Sequence, residues 1–250
     1  MHKQTDCCPV GSSHGVGRRT LLKTALSGAA IGLAGSLGSV ESAYAAALSK
    51  AERDKLTPDE IIESFKQGNK RFRSGKMLPH DYLAQKRATA SGQYPAAVIL
   101  SCIDSRAPAE IILDTRIGDT FNARIAGNIA NDDLIGSLEF ACAAAGAKVI
   151  LVMGHTGCGA IKGAIDHVEL GHLTALLAKI TPAVDQTQYA GDRSSKNYEF
   201  VDAVAKTNVR LTLDAIQNGS TVLAPMEKDG KIKMIGAMYN LNGGAVEFFA

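Results

Sequence analysis

Lys148-Val149-Ile150-Leu151-Val152-Met153-Gly154-His155-Thr156-Gly157-Cys158-Gly159 is the stretch on which the fold turns. Residues 149–153 are apolar without interruption. A strand with one face in water alternates polar and apolar residues. A short unbroken apolar run ended by glycine instead predicts a strand buried on both faces, as in a parallel sheet covered by helices. The polar segment that follows at once sets a histidine and a cysteine at the carboxyl end of that strand, where open α/β sheets gather ligands.

Working outward, Ala96-Ala97-Val98-Ile99-Leu100-Ser101 is a second run of the same kind, followed directly by Cys102-Ile103-Asp104-Ser105-Arg106. Weaker runs over 121–125 and 232–239 predict two more strands, and 246–249 a short antiparallel edge. Helical patterns fall between them, over 132–145, 158–178 and 196–217, with Gly146 and Gly219 where helix ends belong. Upstream, Thr57-Pro58-Asp59-Glu60 reads as a capping box with proline at the first helical position. Ile61, Ile62, Phe65 and Phe72 then recur at helical spacing. The expected fold class is α/β: a central, mostly parallel sheet flanked by helices, with N-terminal helices that pack on a partner subunit.

The chain has 250 residues, 46% of them hydrophobic and none tryptophan, so the core rests on Ala, Ile, Leu and Val. Its first 45 residues stand apart. Gly17-Arg18-Arg19-Thr20-Leu21-Leu22-Lys23 is a twin-arginine pattern, an uncharged small-residue run follows over 24–40, and Ala43-Tyr44-Ala45 suits a signal peptidase. The run is too short and too mildly apolar for a comfortable membrane span. Residues 1–45 are therefore expected to be a twin-arginine signal peptide, and 46–250 one domain of a periplasmic protein with no stable membrane association. Of the 27 basic and 25 acidic residues, the first 45 positions take four and two, which leaves 23 of each sign. No basic field remains to attract nucleic acid. Of the five cysteines, Cys7 and Cys8 leave with the signal. Cys102, Cys142 and Cys158 are too few for a disulfide framework, and a metal holding two of them as thiolates would protect them from oxidation.

If the two strongest strands are neighbours, Cys102, His155 and Cys158 meet in one cleft. Zinc takes Cys and His ligands in tetrahedral geometry, and three protein ligands plus an open position is the catalytic arrangement. Spacing alone also fits two structural cysteines and a core histidine. Asp104 and Arg106 lie two apart just beyond a ligand, where a carboxylate beside an arginine stays ionised and can accept a hydrogen bond from a metal-held water. Judged alone they equally suit an ordinary surface ion pair. Cys142 lies among alanines and reads as core. His167 and His172 read as solvated, and His80 as a loop residue with no evident partner.

Cys102-x-Asp104-Ser105-Arg106 followed by His155-x-x-Cys158-Gly159 resembles the β-class carbonic anhydrases. Gln93-x-Pro95, Gly118-Asp119-x-Phe121, Arg124-x-Ala126-Gly127-Asn128 and Gly236-Ala237-x-Tyr239-x-Leu241 extend the resemblance over roughly residues 57–250. Ile125 departs from it, standing where asparagine is common. The resemblance implies reversible hydration of carbon dioxide to bicarbonate and a proton by a zinc-generated hydroxide, with one Zn2+ per chain on Cys102, His155 and Cys158. It implies that Asp104, held by Arg106, orients the nucleophile or closes the fourth zinc position, and that Gln93 donates to a substrate oxygen. Phe121, Ala126, Gly127, Phe140 and Gly159 would border the substrate pocket, although the apolar members also suit plain core. Gln93, Phe121 and Phe140 would serve a partner's site in a homodimer or tetramer. Hydrolysis of carbonyl sulfide or carbon disulfide at the same site, and a non-catalytic zinc-stabilised interaction protein, are the alternatives. No Cys-x-x-Cys supports a thiol-redox protein.

Overall fold

The computed structural model describes residues 47–249. The twin-arginine pattern, the small-residue run and the cleavage site lie outside the described residues. Described in chain order, helices α1 (Lys50–Lys55), α2 (Pro58–Arg73) and α3 (Tyr82–Thr89) precede β1 (Ala97–Ser101). Then come α4 (Ala109–Ile112), β2 (Thr120–Arg124), α5 (Asp132–Glu139) and β3 (Val149–His155). Helices α6 (Gly159–Ile165), α7 (Gly171–Leu177), α8 (Thr181–Gln186), α9 (Tyr198–Gly219) and α10 (Leu223–Lys228) lead to β4 (Lys233–Tyr239) and β5 (Val246–Phe249).

The strands form one sheet in the order β2-β1-β3-β4-β5. The first four run parallel and β5 runs antiparallel to β4. Every residue of β1 and β3 is buried, which is why those segments carry no alternation. Val98, Leu100, Ile150 and Val152 face one layer, with Val201, Val204 and Val209 of α9. Ile99, Val149, Leu151 and Met153 face the other, with Ile61, Ile62 and Phe65 of α2. Each such side chain contributes roughly 1.5–3 kcal/mol by leaving water.

Helix α2 begins as its sequence requires: Thr57 accepts from the Glu60 amide while the Glu60 carboxylate accepts from the Thr57 amide. Its apolar face is filled by the chain's own sheet, with Ile61 2% and Phe65 3% exposed. Helix α1 is likewise tied within the chain, since buried Arg53 donates to Ala145 O at 2.6 Å.

Two helical expectations change. The continuous helix over 158–178 is two short helices, because His167 adopts a left-handed backbone (φ 53°) between α6 and α7. Histidine is among the few non-glycine residues that tolerate this region. The helix over 132–145 is α5 followed by a π-helical turn, Phe140–Ala144, closed by left-handed Gly146. Gly219 is the last residue of α9 rather than its left-handed cap; Ser220 follows in an extended conformation.

The parallel pairing of β1 with β3, in register from Ala97–Val149 to Ser101–Met153, places the residues after Ser101 beside those after Met153. That pairing builds the site.

Candidate metal centre

Cys102 follows β1, His155 ends β3 and Cys158 is the residue on which α6 starts. Their donor atoms all lie within 4.8 Å of one another. The two sulfurs are 4.0 Å apart, against about 3.8 Å for two thiolates on one tetrahedral zinc. His155 Nδ1 lies 3.0 Å from Thr156 O. A carbonyl can only accept, so Nδ1 carries the proton and Nε2 keeps its lone pair. Nε2 is buried and makes no hydrogen bond. Two sulfurs and an unused imidazole nitrogen, all buried, are a donor set that fits a zinc ion.

The electrostatics point the same way. The Cys102 thiol is pulled well below its ordinary value, chiefly by the hydrogen bond from Cys158 and also by the Gly127 amide, 3.4 Å from its sulfur. The same contact, together with burial, pushes Cys158 far up. Without a cation only one of the pair ionises, because two buried thiolates at this distance repel. His155 is raised despite its burial, because the Cys102 sulfur and Asp104 favour its cationic form. The pocket therefore attracts positive charge. Gly127 reaches Cys102 because it is glycine: φ is +67°, and a Cβ there would lie 2.5 Å from Ile180 Cδ1. Asn208 of α9 donates to Gly127 O at 2.7 Å and fixes that turn.

Beside the donors, Asp104 is gripped by Arg106. Oδ1 accepts from the Arg106 amide and Nε, each at 2.9 Å, and Oδ2 accepts from Nη2 at 2.8 Å. The Arg106 guanidinium holds the Asp104 carboxyl far below the usual carboxylate range. Oδ2 lies 3.7 Å from His155 Nε2. Arg124 donates to the carbonyls of Cys102 and Asp104 and so shapes the loop between them. A polar cleft of about 710 Å³, lined by Asp104, Arg106, Thr156, Lys162, Tyr198 and Asp202 among others, opens next to this pair.

Other residues singled out from the sequence fall in two groups. Ala126 and Gly127 form a short turn directly after β2, and Gly159 is the first residue of α6, all at the carboxyl edge of the sheet. Gln93 lies before β1, at the opposite end from Cys102. A strand rises about 3.3 Å per residue, so the interval from Ala97 to Cys102 alone spans roughly 16 Å. One chain does not bring Gln93 to its own donors. Phe121, near the start of β2, meets Phe140 edge-on with ring centroids 6.0 Å apart, and Phe140 is 59% exposed.

Cys142 is buried, and that burial pushes its thiol up to about 12. His80, left without a partner in the sequence, is paired: its Nε2 lies 2.8 Å from buried Asp114, which also receives Arg71. Asp202 and Asn208 gave no sequence signal; only the packing of α9 reveals them.

A mostly parallel α/β sheet with a cysteine–histidine–cysteine centre at its carboxyl edge defines the class, an α/β protein built around a metal-type donor set. Comparison with known proteins narrows it. The family model described as carbonic anhydrase matches residues 97–246. A carbonic anhydrase of Mycolicibacterium smegmatis is 30% identical over 191 residues, spanning 74% of this chain and 90% of that protein. The β-carbonic anhydrase CafA of Aspergillus fumigatus superposes with a TM-score of 0.60 at 25% identity, covering 76% of this chain and 89% of that one. One of two tetrameric β-carbonic anhydrases from Sordaria macrospora gives 0.58 at 25% identity, covering 64% and 83%. The chain belongs to the β-class carbonic anhydrase family.

Proposed function

We propose that this enzyme interconverts carbon dioxide and bicarbonate with one zinc ion per chain, held by Cys102, His155 and Cys158. The observation that carries this reading is the convergence of those three buried donors beside the Arg106-held carboxylate of Asp104. Zinc at such a site supplies Lewis acidity that generates hydroxide from water near neutral pH. Asp104 accepts the hydrogen bond that orients the nucleophile. Arg106 keeps Asp104 ionised and aimed. The Gly127 amide and the Thr156 carbonyl fix Cys102 and the His155 ring. Two thiolates balance the charge of the ion, so activity should rise toward alkaline pH.

The working unit in this proposal is a homodimer, or a tetramer built from dimers. β2 is an edge strand with one side of its backbone unpaired by the sheet. Phe140 and Ile103, both 59% exposed, add apolar surface. A second copy on that edge would cover this surface and bring its own Gln93 toward the first copy's cleft. Among the described residues no helix is long and apolar enough to cross a membrane. Export by the twin-arginine route to the periplasm rests on residues 17–45 of the sequence.

Stopped-flow carbon dioxide hydration on residues 46–250, with a zinc assay, tests the reading. Rapid hydration with about one zinc per chain, both lost in Cys102→Ser, is expected. Bound zinc without hydration at any pH would point to carbonyl sulfide, carbon disulfide or a non-catalytic role.

A further inference from the structure

The loop between two of the donors is a single turn, and its middle peptide is engaged at both ends. The Thr156 carbonyl accepts from His155 Nδ1 at 3.0 Å. The amide of Gly157, the other end of the same peptide unit, donates to Asp202 Oδ1 at 2.7 Å. Asp202 lies 45 residues away on α9. The chain of bonds runs carboxylate, peptide, imidazole, donor site. A carboxylate at its far end polarises the peptide, makes its oxygen a stronger acceptor, and so draws on the Nδ1 proton. Metal-ligating histidines commonly pass that proton to a carboxylate or carbonyl, which fixes the ring and raises its basicity. Here the two partners act in series.

The arrangement is not explained by packing. Asp202 is half-buried, and burial pushes its carboxyl up; a neutral side chain would avoid that cost. Lys162, which lines the same cleft, is seated 3.8 Å over the Tyr198 ring. The rest of the loop is held by β4 and the segment after it: the Thr156 amide donates to Tyr239 O, and its Oγ1 accepts from the Leu241 amide, each at 3.0 Å. Those two bonds fix Thr156 but leave the Thr156–Gly157 peptide plane free to rotate. Gly157, at φ +62°, offers little resistance to such a flip.

We infer that Asp202 is a positioning residue of the metal centre, whose carboxylate locks the Thr156–Gly157 peptide so that His155 presents Nε2 to the metal. This rests on the reading of Cys102, His155 and Cys158 as zinc ligands. The test follows zinc release from the loaded enzyme to an excess of a chromogenic chelator in the wild type, Asp202→Ala and Asp202→Asn. Asp202→Ala should release zinc about 10- to 100-fold faster. Asp202→Asn keeps an acceptor oxygen and should recover most of the loss. In Asp202→Asn the His155 Nδ1 proton, seen by NMR, should move upfield as its acceptor weakens. That signal keeps the test decisive if Asp202→Ala does not fold. Wild-type release rates in Asp202→Ala, equally fast release in both variants, or an unmoved Nδ1 proton would each overturn the inference. A wild-type enzyme that takes up no zinc would instead defeat the proposed function.

Discussion

Asp104 and Arg106 form one bonded unit although only Asp104 is sheltered: the side chains are 15% and 61% exposed. Arg106 touches none of the three donors in the bonds it makes, so its removal should separate orientation from metal binding. Arg106→Ala is expected to keep its zinc while kcat falls by about 10²-fold, the scale of losing one preorganised donor. The pH sign follows from the pair. The Asp104 carboxyl is depressed by Arg106, so its ionised form survives acid well below its ordinary value of 3.8 and is lost only as pH falls through the depressed value. Without Arg106 its protonation should move up toward 3.8, which a carboxyl NMR titration reads directly. An unchanged titration would show that Arg106 does not set the charge. At this scale the five residues of the two motifs were legible because each cluster is contiguous and sits at a strand end. Asp202 and Asn208 were not, because their contacts with Gly157 and Gly127 span 45 and 81 residues. His80 lies in a loop as read, and its partner Asp114 escaped notice for the same reason, being 34 residues on.

Among elements, the strands were the most legible, since burial on both faces writes itself as unbroken apolar runs; β5 falls on 246–249 as read. Helices were clear where one apolar face persists, as in α2 and α9. They were not where a left-handed histidine or a π-helical turn interrupts an otherwise continuous pattern, because periodicity does not report backbone conformation. β1 itself holds Gln93 away from Cys102 of the same chain, one residue lying before the strand and the other after it. If a second copy on the β2 edge supplies Gln93, two inactive variants should repair each other. Gln93→Ala keeps its metal donors, and Cys102→Ser keeps its Gln93. Unfolded together and refolded as a statistical mixture, they should regain about a quarter of wild-type hydration, since half the dimers are mixed and each holds one complete site. No gain over the separate variants, with mixed dimers demonstrated by mass, would place Gln93 outside the reaction.

For the whole molecule, the metal and the fold should share one stability. Cys102 directly follows β1 and His155 ends β3, two adjacent strands of the sheet that are buried along their whole length. An ion bound only by the folded state adds about 2.7 kcal/mol when its free concentration is 100 times Kd, or roughly 5–10 °C in melting temperature for a domain of about 200 residues. Both thiols must lose their protons to bind, and the imidazole must be neutral. In the metal-free protein His155 is raised above 6.5. Its protonation therefore stabilises the apo form fully below that value, and this contribution disappears as pH rises through the raised one. The depressed Cys102 thiol works in the opposite direction on the apo form, so the pH dependence of the gap comes from the protons that zinc must displace from His155 and Cys158. Calorimetry with and without chelator should find a gap in melting temperature that is small near pH 6 and widens by pH 8.5. A gap that narrows over the same interval would mean that the stabilising ion is not held by thiolates and a neutral imidazole.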